Sequence, residues 1–580
     1  MVSLFFNPRP FWLLLLMSAV IGAALGLAVY PLPMIAGTSR FWDFATGNSI
    51  NPTFSGLTPK DTAQVWATYL YFVKAPWSWP LLQAPLLGPP PGTNVFFGDV
   101  VPWVALVGKL LSKALGFPIN PYGFYLFASL VAPGCAMTAL LATAGQRNLA
   151  AAIFGSILTD TTPYLLFRWG HIALSSHFLV IMALGLYLRT GTEGISRRTE
   201  VGWNLLLAGT FLTNAYLLVL VGACRVAALL QKLIAREASL RKLAISATVS
   251  GATVLGLAIP LGVFGQNNGP LGDWGFGHYS MNLLSPMTPQ MSGLFPELRD
   301  FRVGMPFQYE GFSYLGVGIL LLASANARGI ARWLQMRWRT HLALLSILGL
   351  LLLFALSNRI YFGSRLVAEI NLGSYLEQHI FGMFRSSGRF FWLVGYAFVA
   401  VCILSQLRNF TSRSSLALLA AAGFLQVVDV SPLRDFILRE VSQDPSVVLG
   451  PERLKSMIAG ANAVWVFPTF GCVDPVVEAT NLTPSEKQEL KRRLWIANVE
   501  IELASAQAYI RTNTVYVARH QSDCPLEAET QRQIFLEGAL YIYLMDYEPS
   551  PAQIAGKRLG SVCKTEHWAR YCRVDNGETD

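Results

Sequence analysis

Apolar residues in this chain gather in long blocks separated by short polar, glycine- and proline-bearing segments. The block at 11–30 follows Arg9 and carries no charge. About 20 apolar residues in helical form cross the hydrocarbon core of a bilayer. This block is read as a first span and not as a cleaved signal peptide, because it exceeds a signal core in length and many blocks follow it. Further spans fit near 121–143, 149–165, 172–188, 202–213, 215–231, 243–265, 311–324, 341–357, 390–407 and 414–429, about eleven in all. The stretch 100–116 is short and places Lys109 and Lys113 at helical spacing. It is therefore expected to lie along the membrane surface.

Charge supports that choice. With the N-terminus cytoplasmic, Arg147, Arg197/Arg198, Lys232/Arg236/Arg241/Lys242, Arg328/Arg332/Arg337/Arg339 and Arg408/Arg413 all fall on the cytoplasmic side, as the positive-inside rule asks. Counting 100–116 as a span would send several of these clusters outside. The net charge of +10 thus belongs to short loops and implies no nucleic-acid partner. Residues 431–580 hold 16 basic and 20 acidic side chains, leaving 28 and 14 in the rest, a surplus of +14 there.

Composition agrees: the 580 residues are 53% hydrophobic and 13% charged, against about 25% charged in soluble proteins. The chain divides into a membrane domain at 1–429 and a polar domain at 430–580, which the topology places outside the cytoplasm. Four of the seven cysteines, Cys472, Cys524, Cys563 and Cys572, lie in the polar domain. That suits an oxidising compartment, and spacing leaves all three pairings open. Cys135, Cys224 and Cys402 sit in apolar blocks as small core residues. Strand patterns at 463–467, 514–518 and 539–544 and a helix pattern at 483–508 predict a small α/β domain.

The loop at 31–120 carries the first candidates. Asp61 heads an amphipathic stretch running to Lys74. A carboxylate there can take a proton and stabilise developing positive charge, or simply cap the helix. Asp43 is the reserve base. Asp99, in Gly98-Asp-Val-Val-Pro102, is a second helix cap or a substrate contact. Asp160 could join Asp61 and Asp99 around a divalent cation, Mg or Mn, which needs carboxylate and phosphate oxygens. Arg168 and His171 close the loop at 160–171, where they suit a phosphate or anchor the interface. His278, Tyr279 and Asn282, with Gln308 and Glu310, bracket the loop at 266–310 as candidate sugar or head-group contacts. Arg385 and Arg389 share a face if their segment is helical and could clamp a phosphate. His177 is read as a core histidine. No Walker A, HExxH, GxSxG or nucleotide-binding fingerprint is present.

Asp61 with Ala75-Pro-Trp-Ser-Trp-Pro80, Gly98-Asp-Val-Val-Pro102, Arg168-Trp-Gly-His171, His278-Tyr-Ser-Met-Asn-Leu-Leu-Ser285, Gln308-Tyr-Glu-Gly-Phe-Ser-Tyr-Leu-Gly316 and Phe384-Arg-Ser-Ser-Gly-Arg-Phe-Phe-Trp392 together resemble a family of bacterial polytopic membrane proteins, DUF6311. The layout is also similar to the GT-C class of glycosyltransferases. That resemblance implies a bacterial inner-membrane enzyme with a periplasmic C-terminal domain. It implies two surface helices in the first loop and Asp61 as catalytic base. It further implies a polyprenyl-phosphate sugar donor and a lipid or cell-envelope glycan acceptor. The chain departs from the class in having Thr62 after Asp61, where an Asp-Glu pair is usual, and in lacking the HPPL-like sequence before the second surface helix. The alternatives are a transporter or flippase of a lipid-linked saccharide and a non-catalytic envelope assembly protein.

Overall fold

The computed structural model describes residues 5–42, 60–264, 275–289, 291–296, 306–409, 413–442, 447–517, 524, 538–545, 561–566 and 569–574. Helices dominate the first three quarters. They comprise α1 (Phe11–Leu27), α2 (Lys60–Lys74), α3 (Pro102–Leu115), α4 (Tyr122–Thr143), α5 (Leu149–Asp160), α6 (Phe178–Glu193), α7 (Arg197–Phe211), α8 (Ala215–Ile234) and α9 (Leu240–Ala258). After a long connection come α10 (Val317–Arg337), α11 (Leu342–Leu356), a hairpin of β1 (Arg359–Phe362) and β2 (Arg365–Glu369), α12 (Phe391–Asn409), α13 (Arg413–Asp429) and α14 (Ser431–Ser442). Side-chain caps start several of them: Asn148 on α5, Ser196 with Thr199 on α7, Asn214 on α8 and Ser239 on α9.

Five helical runs among the described residues are long and apolar enough to cross a membrane, or six if the bent pair α13–α14 counts as one. Helix length therefore supports fewer crossings than the eleven that hydropathy predicts, because α1 and α5 are short and α7 and α9 fall outside this set. One of the runs spans 40 residues, 317–356. A straight helix of that size would separate its ends by about 60 Å. Yet Leu315 N donates to Pro286 O at 3.1 Å and Met281 N to Ala355 O at 2.8 Å. Residues 281 and 286 lie at most about 18 Å apart along the chain. So α10 and α11 fold back at Trp338–His341 and traverse the bundle twice, as the two sequence blocks predict.

The bundle's ends differ chemically. At one end Arg9 N donates to Arg147 O at 2.8 Å, Arg408 Nη2 to Ala144 O at 2.8 Å and Gln231 Nε2 to Arg339 O at 3.2 Å. The basic loops thus collect together. At the other end α13 caps α10. Asp429 Oδ2 accepts from Tyr314 Oη at 2.8 Å and Val317 N at 2.9 Å, and Gln426 Oε1 accepts from Gly318 N at 2.9 Å. Helix-start N–H groups that would otherwise be orphaned are satisfied, and the segment 306–316 that leads into α10 is fixed.

Of the two helices in the first loop, α3 has an exposed apolar side: Trp103, Val107, Leu110, Leu111 and Leu115 are exposed. Its Lys109 ammonium stands 4.1 Å from the Phe72 ring centroid and 4.5 Å from that of Trp77. In contrast, α2 is buried throughout 62–73, because the C-terminal domain covers it. That domain holds α15 (Pro484–Ala508) and a mixed sheet of β3 (Ala463–Phe467), β4 (Arg511–Thr512), β5 (Ala539–Leu544), β6 (Ser561–Glu566) and β7 (Ala569–Val574), in the order β4-β3-β5-β7-β6. Val464, Val466, Leu540, Ile542 and Leu544 pack one face of the sheet on Leu494, Ala497 and Ile501 of α15. The strand expected at 514–518 stops at Thr512, because the Asn513 side chain takes the ladder's place, bonding Val466 N at 2.8 Å and Val466 O at 3.0 Å. The pairing that spacing left open is Cys472–Cys524 and Cys563–Cys572.

Docking of α15 on α2 is polar at its centre. Thr68 Oγ1 donates to Glu502 Oε1 at 3.0 Å, and Lys74 Nζ donates to Ala506 O at 3.0 Å and Gln507 O at 2.7 Å, capping the end of α15. Burial pushes the Glu502 carboxyl up to about 8, with Thr68 pulling the other way. The docked state therefore favours the neutral acid. Docking is at full strength below the carboxyl's ordinary 4.5 and weakens as pH rises toward about 8. Hydrogen exchange of residues 62–74, relative to the intrinsic chemical rate, should quicken between pH 4.5 and about 8 in the wild type and level off above that. In Glu502→Gln, which stays neutral, it should follow only the intrinsic chemical rate.

Candidate active site

Four segments meet at the end of the bundle opposite the basic loops: 163–171, 275–285, 306–311 and 384–389. Glycines allow the approach. A Cβ on Gly388 would lie 2.4 Å from Gly311 Cα, and one on Gly311 would lie 2.1 Å from Ser280 O. Gly388 N donates to Tyr279 O at 3.1 Å, and Ser285 Oγ to Gly311 O at 2.9 Å. Backbone thus packs on backbone, and Glu310 is carried against Arg389 of the 384–389 segment.

Glu310 is the hub. Arg168 Nη1 donates to its Oε2 at 2.7 Å and Arg168 Nη2 to its backbone O at 2.9 Å. Arg389 reaches the same Oε2 through Nε at 3.2 Å and Nη2 at 3.0 Å. His171 Nε2 lies 3.6 Å from Oε1. Burial alone would raise this carboxyl, but Arg389, then Arg168 and His171, outweigh it and hold it well below the usual carboxylate range. Aromatic faces back the cations: Arg389 Cζ is 4.7 Å from the Tyr216 ring centroid, and Arg168 Cζ is 5.4 Å from that of Trp392.

Accessibility sorts the members. The side chain of Arg168 is 0% exposed, whereas those of Arg389 and His171 are 13% and 16% exposed. Arg168 therefore holds Glu310, while Arg389 and His171 form the reachable wall. Asp99 stands exposed at the mouth, in the left-handed region at φ 56°, and interacts electrostatically with Arg389. Val101 is also left-handed at φ 50°, which is costly for a β-branched residue. The turn 98–102 thus holds Asp99 in a conformation that the chain would not choose unaided.

The remaining candidates divide. Arg385 and Arg389 are not on one helix; a break at 385–386 separates two short turns. Arg385 Cζ instead lies 5.8 Å from the Tyr279 ring centroid. His278 faces the hairpin, within electrostatic range of Arg359 and Glu377. Asn282 and Gln308 are buried and bonded to each other at 3.2 Å, so their amides hold the loop together. Asp160 accepts from Gly134 N at 2.6 Å inside the bundle. No three His, Cys, Asp or Glu among the described residues converge as a metal would require. His177 is a core histidine as expected, bonded through Nδ1 to Tyr396 Oη at 2.9 Å. The side chain of Asp61, at the head of α2, lies outside the described residues, as does Asp43. Sequence reasoning missed Tyr216, whose Oη accepts from Ser386 N at 3.2 Å. Its only signal was an aromatic at the start of a span.

The family described as "Domain of unknown function (DUF6311)" matches residues 19–431. The chain belongs to that family. Among solved structures, this DUF6311 protein is similar to ArnT from Cupriavidus metallidurans in the apo state, with 11% identity and a TM-score of 0.42 over 95% of this chain and 97% of that one. Against ArnT bound to undecaprenyl phosphate, the identity is 11% and the TM-score 0.38, over the same shares of each chain. No residue of the DUF6311 protein is assigned a role from these likenesses. No curated protein matches the sequence.

Three outcomes follow for this cluster. Glu310→Gln leaves Arg168 buried without its counter-charge and should cost about 3–5 kcal/mol, read as a lower unfolding temperature in detergent. The wild-type margin contributed by Glu310 is present above the ordinary carboxyl pKa of 4.5 and should fall as pH drops below it. Gly388→Ala should lower the melting temperature as well, since the added carbon meets the Gly311 backbone.

Proposed function

We propose that this multi-pass membrane protein is a GT-C-like glycosyltransferase. It takes a sugar from a polyprenyl-phosphate donor at the periplasmic face and passes it to a lipid or cell-envelope glycan. The observation that carries the reading is a guanidinium and an imidazole, Arg389 and His171, kept reachable at the bundle's end by a buried Glu310–Arg168 pair, with an exposed carboxylate, Asp99, beside them.

In this reading the donor phosphate lies against Arg389 and His171, with Arg385 at the rim. As the bond from the anomeric carbon to phosphate oxygen breaks, negative charge grows on that oxygen, and fixed cations in a partly dry site stabilise it. The acceptor hydroxyl forms the new bond to the anomeric carbon and gives its proton to a carboxylate. Asp61 and Asp99 are the two first-loop candidates. Asp61 heads the helix that the C-terminal domain grips, and Asp99 has the described position at the cluster. Glu310 is a positioning residue for Arg389. The basic loops at the opposite end of the bundle favour the cytoplasmic side for that end. No step is routed through a divalent cation; a requirement for Mg or Mn is read directly by turnover in EDTA.

Mass spectrometry of envelope glycolipids tests the reading, in a deletion strain complemented with wild type, Asp61→Asn or Asp99→Asn at equal membrane levels. Loss of one sugar in the deletion strain, restored by wild type and lowered about 10²-fold or more by one aspartate variant, identifies product and base. Full restoration by both variants sinks the base assignment. An unchanged glycolipid profile in the deletion strain removes the transferase reading.

A further inference from the structure

Two residues separate the end of α11 from the β1–β2 hairpin. Its open end is tied down where Ile370 N donates to Asn358 O at 2.8 Å and Asn358 Nδ2 to Glu377 Oε1 at 2.7 Å. Its turn is tied down too. Gly363 N donates to Asn282 Oδ1 at 3.0 Å, Asn282 Nδ2 donates to Gly363 O at 2.8 Å, and Leu283 N donates to Tyr361 O at 2.9 Å. The segment 281–286 that grips the turn is itself bonded to the last turn of α11 at Ala355 and to Leu315 just before α10. Both ends of the hairpin are therefore anchored at the level where the traversing helices stop. The ribbon lies across the end of the bundle and does not project from it.

Much of its exposed surface is apolar, spread over both faces because Leu366 and Val367 are consecutive in β2, and it is shared with Arg365 and the Arg359–Glu369 ion pair. Phe362, Leu366, Val367 and Ile370 are 54%, 42%, 56% and 55% exposed. A two-stranded ribbon is marginal by itself, and offering four large apolar side chains to water forfeits about 25 cal/mol for each Å² left uncovered. The patch also continues a lipid-facing surface: Leu350 and Leu353 of α11 are exposed on the traversing helix that leads into it. Arg365, exposed beside the patch, is placed to reach a head-group phosphate while its stem stays in apolar surroundings.

We infer that the β1–β2 hairpin is a bilayer-contact element, lying at the boundary between head groups and acyl chains of the leaflet at the Glu310 end of the bundle. The occupant of the patch is membrane lipid. The inference is independent of the transferase reading, although the two sites are linked: Asn282, which holds the turn, bonds Gln308 at 3.2 Å, two residues from Glu310.

The test uses the full chain in vesicles of phosphatidylethanolamine and phosphatidylglycerol. Val367→Cys and, separately, Leu366→Cys carry an environment-sensitive fluorophore. Glu452→Cys, exposed on the C-terminal domain, serves as the aqueous control, and unsubstituted protein gives the background from native thiols. Nitroxide lipids should quench 366 and 367 several-fold more than 452, and aqueous iodide should show the reverse order. Iodide reaching 366 and 367 as freely as 452 would overturn the inference. Protection of both positions from both quenchers would also overturn it, since a protein surface would then be covering the patch.

Discussion

The carboxylate of Glu310, shared between Arg168 and Arg389, is the constraint on which the end of the bundle opposite the basic loops depends. Three charged side chains are largely removed from water within one cluster. Desolvation of that order is recovered only when geometry and hydrogen bonding are nearly complete. The backbone carbonyl of Glu310 is enlisted as well, through Arg168 Nη2. Each ion comes from a different part of the chain, so a single carboxylate ties the 163–171 turn, the start of α10 and the start of α12 into one unit. Such an arrangement is poor value as stabilisation, since apolar side chains would pack more cheaply. Its distinguishing product is a guanidinium in a fixed orientation near the surface.

Glycine makes that unit possible. Gly311 and Gly388 bring two backbone segments closer than any side chain permits. The short spacing then sets how far Arg389 must reach to meet Glu310. At the mouth, the left-handed Val101 marks local strain in the turn that carries Asp99, whose charge acts on Arg389.

The C-terminal domain belongs to the same construction. By covering α2 it turns an amphipathic helix that could have lain on the membrane into a buried strut, clamped through Thr68, Tyr71 and Lys74. The first loop also pairs directly with β4, where Thr512 N donates to Leu86 O at 3.0 Å. The domain is therefore placed to set the position of the loop that carries Asp61 and Asp99, and any role in acceptor choice would be exercised through that contact.

What the sequence determined by itself was whatever depends on local pattern. Apolar blocks of span length specified helices in nearly every place they occupy, including the return of the chain between α10 and α11, because an apolar helix must shed its backbone polarity wherever it lies. The α/β character of the C-terminal domain was legible for the same reason, through short continuous runs of β-branched and aromatic residues at 463–467 and 539–544. Of the residues in motifs singled out as chemical, Arg168, His171, Glu310 and Arg389 converge. Their roles were not legible. Only the tertiary structure decided that Arg168 is sealed inside while Arg389 stays reachable, that Asn282 and Gln308 hold a hairpin, and that Asp160 bonds a neighbouring helix. Burial and partnership are set by segments 26 to 142 residues apart, and no local pattern encodes those pairings. The burial of α2 was hidden likewise, since its amphipathic face looks the same whether lipid or α15 covers it.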